Sequence, residues 1–148
     1  MNNTKYKRPN ILNSGHAGTK YKGVEFDPLG FPLFDKKYIK NEISLLDEYS
    51  PKQLLNMSRP DHLQASTKLY FEQLKVEAKN LNLDVNSYLK DVLKYEEKQI
   101  NAIIKGNDKI PGFTWHHHQE TGRMQLVDEN VHAKVNHTGG NKIWGNGD

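Results

Sequence analysis

The chain has 148 residues, 26% of them charged, and a net charge of +3 at pH 7. This length suits a single domain over residues 1–148, and the mild basic excess permits nucleic-acid binding without requiring it. The absence of cysteine excludes a disulfide framework, a thiolate zinc site and a thiol nucleophile, and no stretch is apolar enough to predict a transmembrane helix.

The N-terminal part is predicted to hold little regular structure. Residues 1–22, rich in Asn, Lys, Gly and Ser, are predicted to be a loose leader. They lack the apolar core of a secretory signal peptide, so we expect any export signal to lie elsewhere, on a longer parent chain. Val24 and Phe26 alternate with polar residues before a Pro- and Gly-rich stretch, which predicts a short strand and an ordered loop. The segment 38–46 fits either a strand or a helix.

Three helices are predicted in the middle of the chain. Ser50 followed by proline is a helix N-cap motif, which predicts a short helix over residues 51–57. Apolar residues at helical spacing predict a longer helix from about 60 to 80 and another from about 87 to 105, which Gly106 ends. The short join between the two long helices predicts a helical hairpin whose apolar faces form the core.

After these helices the pattern changes to strand, turn, strand and helix. Residues 112–118 and 123–127 are β-prone, and the Glu120-Thr-Gly122 turn signal between them predicts a β-hairpin. Asp128 is placed to cap a following helix, which the glycine pair at 139–140 ends. Together with the upstream helices, this pattern predicts an α+β fold.

Five of the seven histidines lie in this segment, within a span of 22 residues: His116, His117, His118, His132 and His137. Imidazole is a common metal ligand and the usual general base near neutral pH. Because neighbours on a strand alternate faces, His116 and His118 are predicted on one face and His117 on the other. His132 and His137 are five residues apart, so both can serve one metal only if His137 lies at a frayed helix end.

The stretch 112–127, followed by His132 and by His137-Thr-Gly-Gly140, resembles the WHH branch of the HNH/endonuclease VII superfamily. The upstream segments 30–34 and 59–65 also resemble N-terminal pieces of the family. The resemblance implies a ββα-metal (HNH/His-Me finger) hairpin-helix core over residues 111–140, packed with additional long helices.

The same resemblance implies roles for individual residues. His117 matches the general base, His116 and His132 match metal ligands, and His137 matches a third ligand or a phosphate contact. The implied cofactor is one divalent ion, with Zn, Ni, Mg and Mn left open. Many relatives orient the base with an Asn, and here either Gln125 or the backbone would take that place.

Four further residues carry open interpretations. Trp115 is interpreted as a core anchor under the site rather than a stacking platform. Arg123 is either a phosphate clamp or an exposed turn residue, and His118 is a candidate for support or phosphate binding. His62 is interpreted as a structural or surface histidine, kept in view because it lies in the segment 59–65.

The function implied by the resemblance is an endonuclease that hydrolyses phosphodiester bonds, with DNA favoured and RNA as the alternative substrate. Because the family's domains are typically toxin modules of bacterial polymorphic toxins, it also implies secretion on a larger toxin, action in the target-cell cytoplasm and a cognate immunity protein. Two non-enzymatic interpretations stay open. One is a zinc- or nucleic-acid-binding module in which four histidines close a structural site. The other is an immunity or scaffold protein with incidental histidines.

Overall fold

The computed structural model of the chain describes residues 20–21, 24–26, 32–34, 36–133 and 144–145. Three short antiparallel strands come first and pair in chain order: β1 (Lys20–Tyr21), β2 (Val24–Phe26) and β3 (Pro32–Leu33). The strand predicted at Val24 and Phe26 is confirmed. Lys20 and Tyr21 of the predicted leader form β1, and the rest of the leader lies outside the described residues.

A second antiparallel sheet carries the histidine-rich segment. Its strands are β4 (Ile39–Ser44), β5 (Phe113–His117) and β6 (Arg123–Asp128), in the order β4-β6-β5. The segment 38–46, which fitted either a strand or a helix, therefore contains a strand, and a 3₁₀ turn over Leu45–Asp47 follows it. The β5–β6 hairpin confirms the predicted strand, turn and strand.

Two of the predicted helices are confirmed, and each begins with a reciprocal cap. In α1 (Pro51–Asn56), Ser50 and Gln53 exchange side-chain-to-backbone hydrogen bonds. In α2 (Arg59–Asn80), Ser58 does the same with the third residue of the helix. Such caps satisfy amide groups that the first turn leaves without helical partners.

The prediction of a single helix over 87–105 is wrong, because the helical structure is interrupted in the middle of that range. A short α3 (Val85–Ser87) continues into a π-helical turn (Tyr88–Val92), and α4 (Glu97–Lys105) follows only after an interruption. In the interruption, the hydroxyl of Tyr95 lies 2.7 Å from that of Tyr70 in the core. The contact of Tyr95 with α2 is long-range, so helical periodicity did not reveal it. Gly106 ends α4 in the left-handed conformation, as predicted.

The hairpin is followed at once by α5 (Glu129–Ala133). The Asp128 carboxylate accepts hydrogen bonds from the amides of Asn130 and Val131, which confirms it as the cap. The predicted helix end at 139–140 lies outside the described residues. The strand-strand-helix order is the arrangement expected of a ββα-metal core, and the whole is α+β.

The main hydrophobic core lies between the β4-β6-β5 sheet and the helices. Its most deeply buried members come from the turn after β4, from helices α1, α2 and α4, from the π-helical turn and from the hairpin: Leu45, Leu54, Tyr70, Leu74, Leu89, Ile103, Trp115, Met124 and Leu126. The opposite face of the sheet has a smaller cluster built on Phe34 and Val127. Among the described helices, none is both long and apolar enough to cross a membrane.

A substitution at Gly122 tests whether the backbone conformation of the hairpin turn requires glycine. Its φ is +77°, and an added Cβ would lie 2.8 Å from Cγ of Leu46 and 3.3 Å from the Leu46 amide nitrogen. We expect Gly122→Ala to lower the free energy of unfolding by about 1–3 kcal/mol, because it adds a left-handed side chain and a close contact. Chemical denaturation followed by circular dichroism measures this. The exposed neighbour variant Thr121→Ala should stay within about 0.5 kcal/mol of the parent, and equal stability of the two variants would contradict the prediction.

Candidate active site

Strand β5 presents its consecutive histidines to opposite faces of the sheet. His116 pairs across the hairpin with Gln125, and His117 pairs with Met124. Met124 is fully buried in the main core, so His117 points inward, whereas His116 points toward Phe34 on the other face. The predicted alternation is confirmed. The two candidate roles, ligand and base, therefore lie on different sides of one strand.

On the outer face, His116 meets His132. Their ring centroids are 5.4 Å apart, and the Phe34 ring lies 5.0 Å from His116 and 5.7 Å from His132. The immediate succession of β6 and α5 produces this arrangement, because the helix turns back over the hairpin. The structure thus brings together the two histidines that the resemblance implied as strand and helix metal ligands.

The donor set on this face fits a divalent ion. Two imidazoles from adjacent elements suit borderline ions such as Zn²⁺ or Ni²⁺, and two ligands leave positions open for water or phosphate. Oδ1 of Asp128 accepts the two amide hydrogen bonds that cap α5. Within the described residues, no group of three or more His, Cys, Asp or Glu side chains is arranged to hold a metal. His137, the expected third ligand, lies outside those residues.

On the inner face, His117 contacts His62 at the start of α2. Nε2 of His117 lies 3.1 Å from Nδ1 of His62, and Nε2 of His62 lies 2.8 Å from the carbonyl oxygen of Leu54. The Trp144 ring flanks both imidazoles, with its centroid 5.1 Å from His117 and 5.4 Å from His62. The exposed fraction is 0% for His62 and 4% for His117. The two rings therefore form a buried, hydrogen-bonded pair.

Burial sets the charge state of His117. Desolvation, with smaller contributions from the positive potentials of His62, Arg59 and His132, lowers the pKa of His117 to about 3. The ring is therefore neutral at pH 7. A neutral imidazole is the form that accepts a proton, as a general base requires.

The contact between His62 and the candidate base was not predicted from the sequence. His62 was interpreted as a structural or surface histidine, and the structure excludes the surface alternative, because the ring is fully buried against His117. The contact joins residues 55 positions apart, so no local spacing predicts it. The one available signal was its place in the segment 59–65, which resembles an upstream piece of the family.

Gln125, one of the two candidates for orienting the base, does not contact His117 in the structure. Its side-chain amide donates to Oε1 of Glu42 on the outer face of the sheet. It lies opposite His116 in the register, so alternation keeps it away from His117. The side chain that contacts His117 is instead His62, which also lies within hydrogen-bonding distance of the Leu54 carbonyl.

Arg123 is engaged with carboxylates. Its Nη2 and Nε lie 2.8 and 3.0 Å from Oε1 of Glu42, and its Nη1 lies 3.2 Å from Oε2 of Glu120. A phosphate would have to displace two carboxylates to reach this guanidinium. The phosphate-clamp interpretation therefore loses support.

His118 lies at the edge of an outer cleft. Its Nδ1 accepts a hydrogen bond from the amide of Glu120, and its carbonyl accepts one from Nε1 of Trp144. The cleft is lined by Phe34, Ile39, Asn41, Glu42, His118, Arg123 and Gln125. His118 is thus on the side of the candidate ligands, as alternation predicted, and its carbonyl fixes Trp144 beside the inner pair.

Trp115 is a core anchor, as interpreted from the sequence. It is 2% exposed, its Nε1 donates to Oγ1 of Thr67 over 2.9 Å, and its ring meets Tyr70 edge-on. A side chain so enclosed has no face on which a nucleobase could stack.

Comparison with known families agrees with this geometry. The sequence model of the WHH family, described as a nuclease of the HNH/ENDO VII superfamily with conserved WHH, matches residues 106–147. The match runs from the end of α4 through the hairpin and α5, and it leaves out segments 30–34 and 59–65. No curated protein matches the chain. Nucleases of this superfamily generally use a divalent metal. Residues 106–147 therefore match the WHH nuclease family of the HNH/endonuclease VII superfamily, and a WHH domain is a phosphodiester hydrolase.

Proposed function

We propose that the chain is a metal-dependent endonuclease that hydrolyses DNA, with His117 as general base and His116 and His132 as ligands of one divalent ion. The observation that carries the proposal is the proximity of His116 on β5 and His132 on α5, whose ring centroids are 5.4 Å apart. The buried His117 is the next residue of the same strand. His137 is proposed as the third ligand.

The proposed chemistry uses the neutral imidazole of His117. It would take a proton from the attacking water as that water adds to the scissile phosphorus. The negative charge of a bound phosphodiester would stabilise the imidazolium that forms, because an opposite charge nearby favours the charged ring. A divalent ion, when bound, supplies stabilisation of the charge on the phosphate and on the leaving 3′ oxygen.

DNA is proposed over RNA because ββα-metal sites most often cut DNA. Discrimination against DNA would need a group that reads the 2′ hydroxyl of RNA. No such role is assignable to the site residues within the described part of the chain. An RNase of the same fold is the alternative, since related toxin domains differ in substrate.

The biological setting is proposed from the family resemblance of residues 112–140 alone. In this proposal, residues 1–148 are one toxin domain, delivered on a longer secreted protein into the cytoplasm of a competing bacterium. The producing cell would need a cognate immunity protein that neutralises the nuclease.

Two histidine variants test the separation of roles. We expect His117→Ala to bind a divalent ion nearly as well as the parent while cleavage falls by about 10²- to 10⁴-fold, because a general base is lost and the ligands are not. We expect His132→Ala to lose cleavage and to weaken metal binding by more than about 10- to 100-fold. Removing a residue that only hydrogen-bonds to a metal ligand already weakens binding by that factor, and removing the ligand itself should weaken it more. Calorimetric titration with Zn²⁺ and Ni²⁺ measures affinity, and plasmid nicking measures activity.

Thr121→Ala is the folded control for both variants, and it should match the parent in both measurements. Weak metal binding in both histidine variants, together with no cleavage by the metal-loaded parent, would favour a structural zinc module instead.

The substrate is tested separately with the parent protein. Supercoiled plasmid and total RNA would each be incubated with Mg²⁺, Mn²⁺, Ni²⁺, Zn²⁺ or EDTA. We expect nicking and linearisation of the plasmid with metal, none with EDTA, and RNA left intact. Degraded RNA beside intact plasmid would establish the RNase alternative.

A further inference from the structure

We propose that His62 is a positioning residue that fixes the tautomer and the orientation of the His117 ring. The inference rests on the proposed role of His117 as general base. It concerns a residue outside the matched family segment, because the match begins at residue 106.

The chain of hydrogen bonds starts at a backbone carbonyl. The carbonyl oxygen of Leu54 can only accept, so the nitrogen 2.8 Å from it, Nε2 of His62, must carry a proton. In the uncharged ring of His62, the other nitrogen, Nδ1, is then a bare acceptor. Thus one backbone group determines which nitrogen of His62 can receive a hydrogen bond.

The acceptor on His62 in turn determines the tautomer of His117. Nδ1 of His62 lies 3.1 Å from Nε2 of His117, so with both rings uncharged Nε2 of His117 must be the donor. The lone pair of His117 is therefore on Nδ1. Among the described residues, none donates a hydrogen bond to that nitrogen. A general base needs such an unprotonated nitrogen to accept a proton.

The hydrogen bonds from the Leu54 carbonyl through His62 to His117, called here the relay, are held in place by their surroundings. The Leu54 carbonyl also accepts from the amide of Met57 at the end of α1, and the amide of His62 donates to Ser58 at the start of α2. Both helices carry reciprocal caps at their first turns. Since His62 is fully buried, no solvent exchange competes for its nitrogens. The His117 ring is therefore held by two helix ends rather than by its own hairpin.

The relay can be observed without any cleavage. In the metal-free protein labelled with ¹⁵N, the imidazole spectra should show His117 protonated at Nε2 and bare at Nδ1. A scalar coupling should connect Nε2 of His117 to Nδ1 of His62 across the N–H···N hydrogen bond. The His117→Ala spectrum assigns the signals. A proton on Nδ1 of His117, or the absence of that coupling, would overturn the proposal.

Two near-isosteric variants separate positioning from packing. His62→Asn places an amide oxygen near the position of Nδ1 and so keeps an acceptor for His117. His62→Gln extends its amide toward Leu54 and removes that acceptor. We expect kcat within about 10-fold of the parent for His62→Asn and a loss of about 100-fold or more for His62→Gln, because a misoriented base or its wrong tautomer is costly. KM and metal affinity should change little, since the proposed ligands lie on the other face.

Thermal unfolding of both variants gives the folded fraction at the assay temperature. A purely structural role predicts activity that follows the folded fraction alone, with parent kcat in folded His62→Gln, and this result would overturn the proposal. Equal large losses in both folded variants would also overturn it, because the acceptor would then be irrelevant. A parent that shows the coupling but cleaves neither DNA nor RNA would overturn the proposed function and leave the relay standing.

Discussion

The anchoring of Trp115 is the constraint on which the site depends. Its indole is buried against α2, and its single hydrogen donor is used by Thr67. Because side chains alternate along a strand, an inward Trp115 forces His116 outward and His117 inward. A slip of one residue would exchange the two histidines, so the buried indole selects which of them faces the core and which faces outward.

The two faces of the sheet provide different electrostatic environments. The inner face is apolar around His117, which keeps the ring uncharged. The outer face carries Glu42, whose pKa is raised by burial but lowered overall by hydrogen bonds from Gln125 and Arg123 and by the charge of Arg123. Glu42 is therefore ionised at neutral pH. A bare carboxylate there would repel a phosphodiester, so the best-supported role of Arg123 is to neutralise Glu42.

Different elements of the fold position the histidines on the two faces of the sheet. His132 is positioned by α5, which the Asp128 cap joins directly to β6. His117 is positioned through His62, which belongs to the helical part of the chain. The helices thus do more than cover the hairpin, because one of them contributes a side chain that contacts the candidate base.

Local sequence signals predicted the parts of the fold that local interactions determine. The cap at Ser50, the cap at Asp128, the helix end at Gly106 and the hairpin turn at Gly122 are each fixed within a few residues. These signals located the hairpin and, with strand alternation, assigned faces to its histidines. Positions that depend on local backbone conformation were therefore predictable.

The failures share a different cause, which is contact between distant segments. The predicted helix over 87–105 breaks where Tyr95 turns in to meet Tyr70 of α2. Gln125 was placed by its position in a motif, but its cross-strand partner Glu42 lies 83 residues away. His62 and His117 likewise meet only in the folded chain, so the most informative contact of the site left no local trace in the sequence.

The buried histidine pair carries an energetic argument for function. Burying a polar group without a partner costs about 1–3 kcal/mol, and an apolar pair of similar shape would avoid that risk. In the pair, both nitrogens of His62 are satisfied, by Leu54 and by His117. Among the described residues, Nδ1 of His117 alone in this relay lacks a hydrogen-bond partner. That nitrogen is the atom at which a general base would receive a proton, so the hydrogen bonds of the pair leave the proposed chemistry its acceptor.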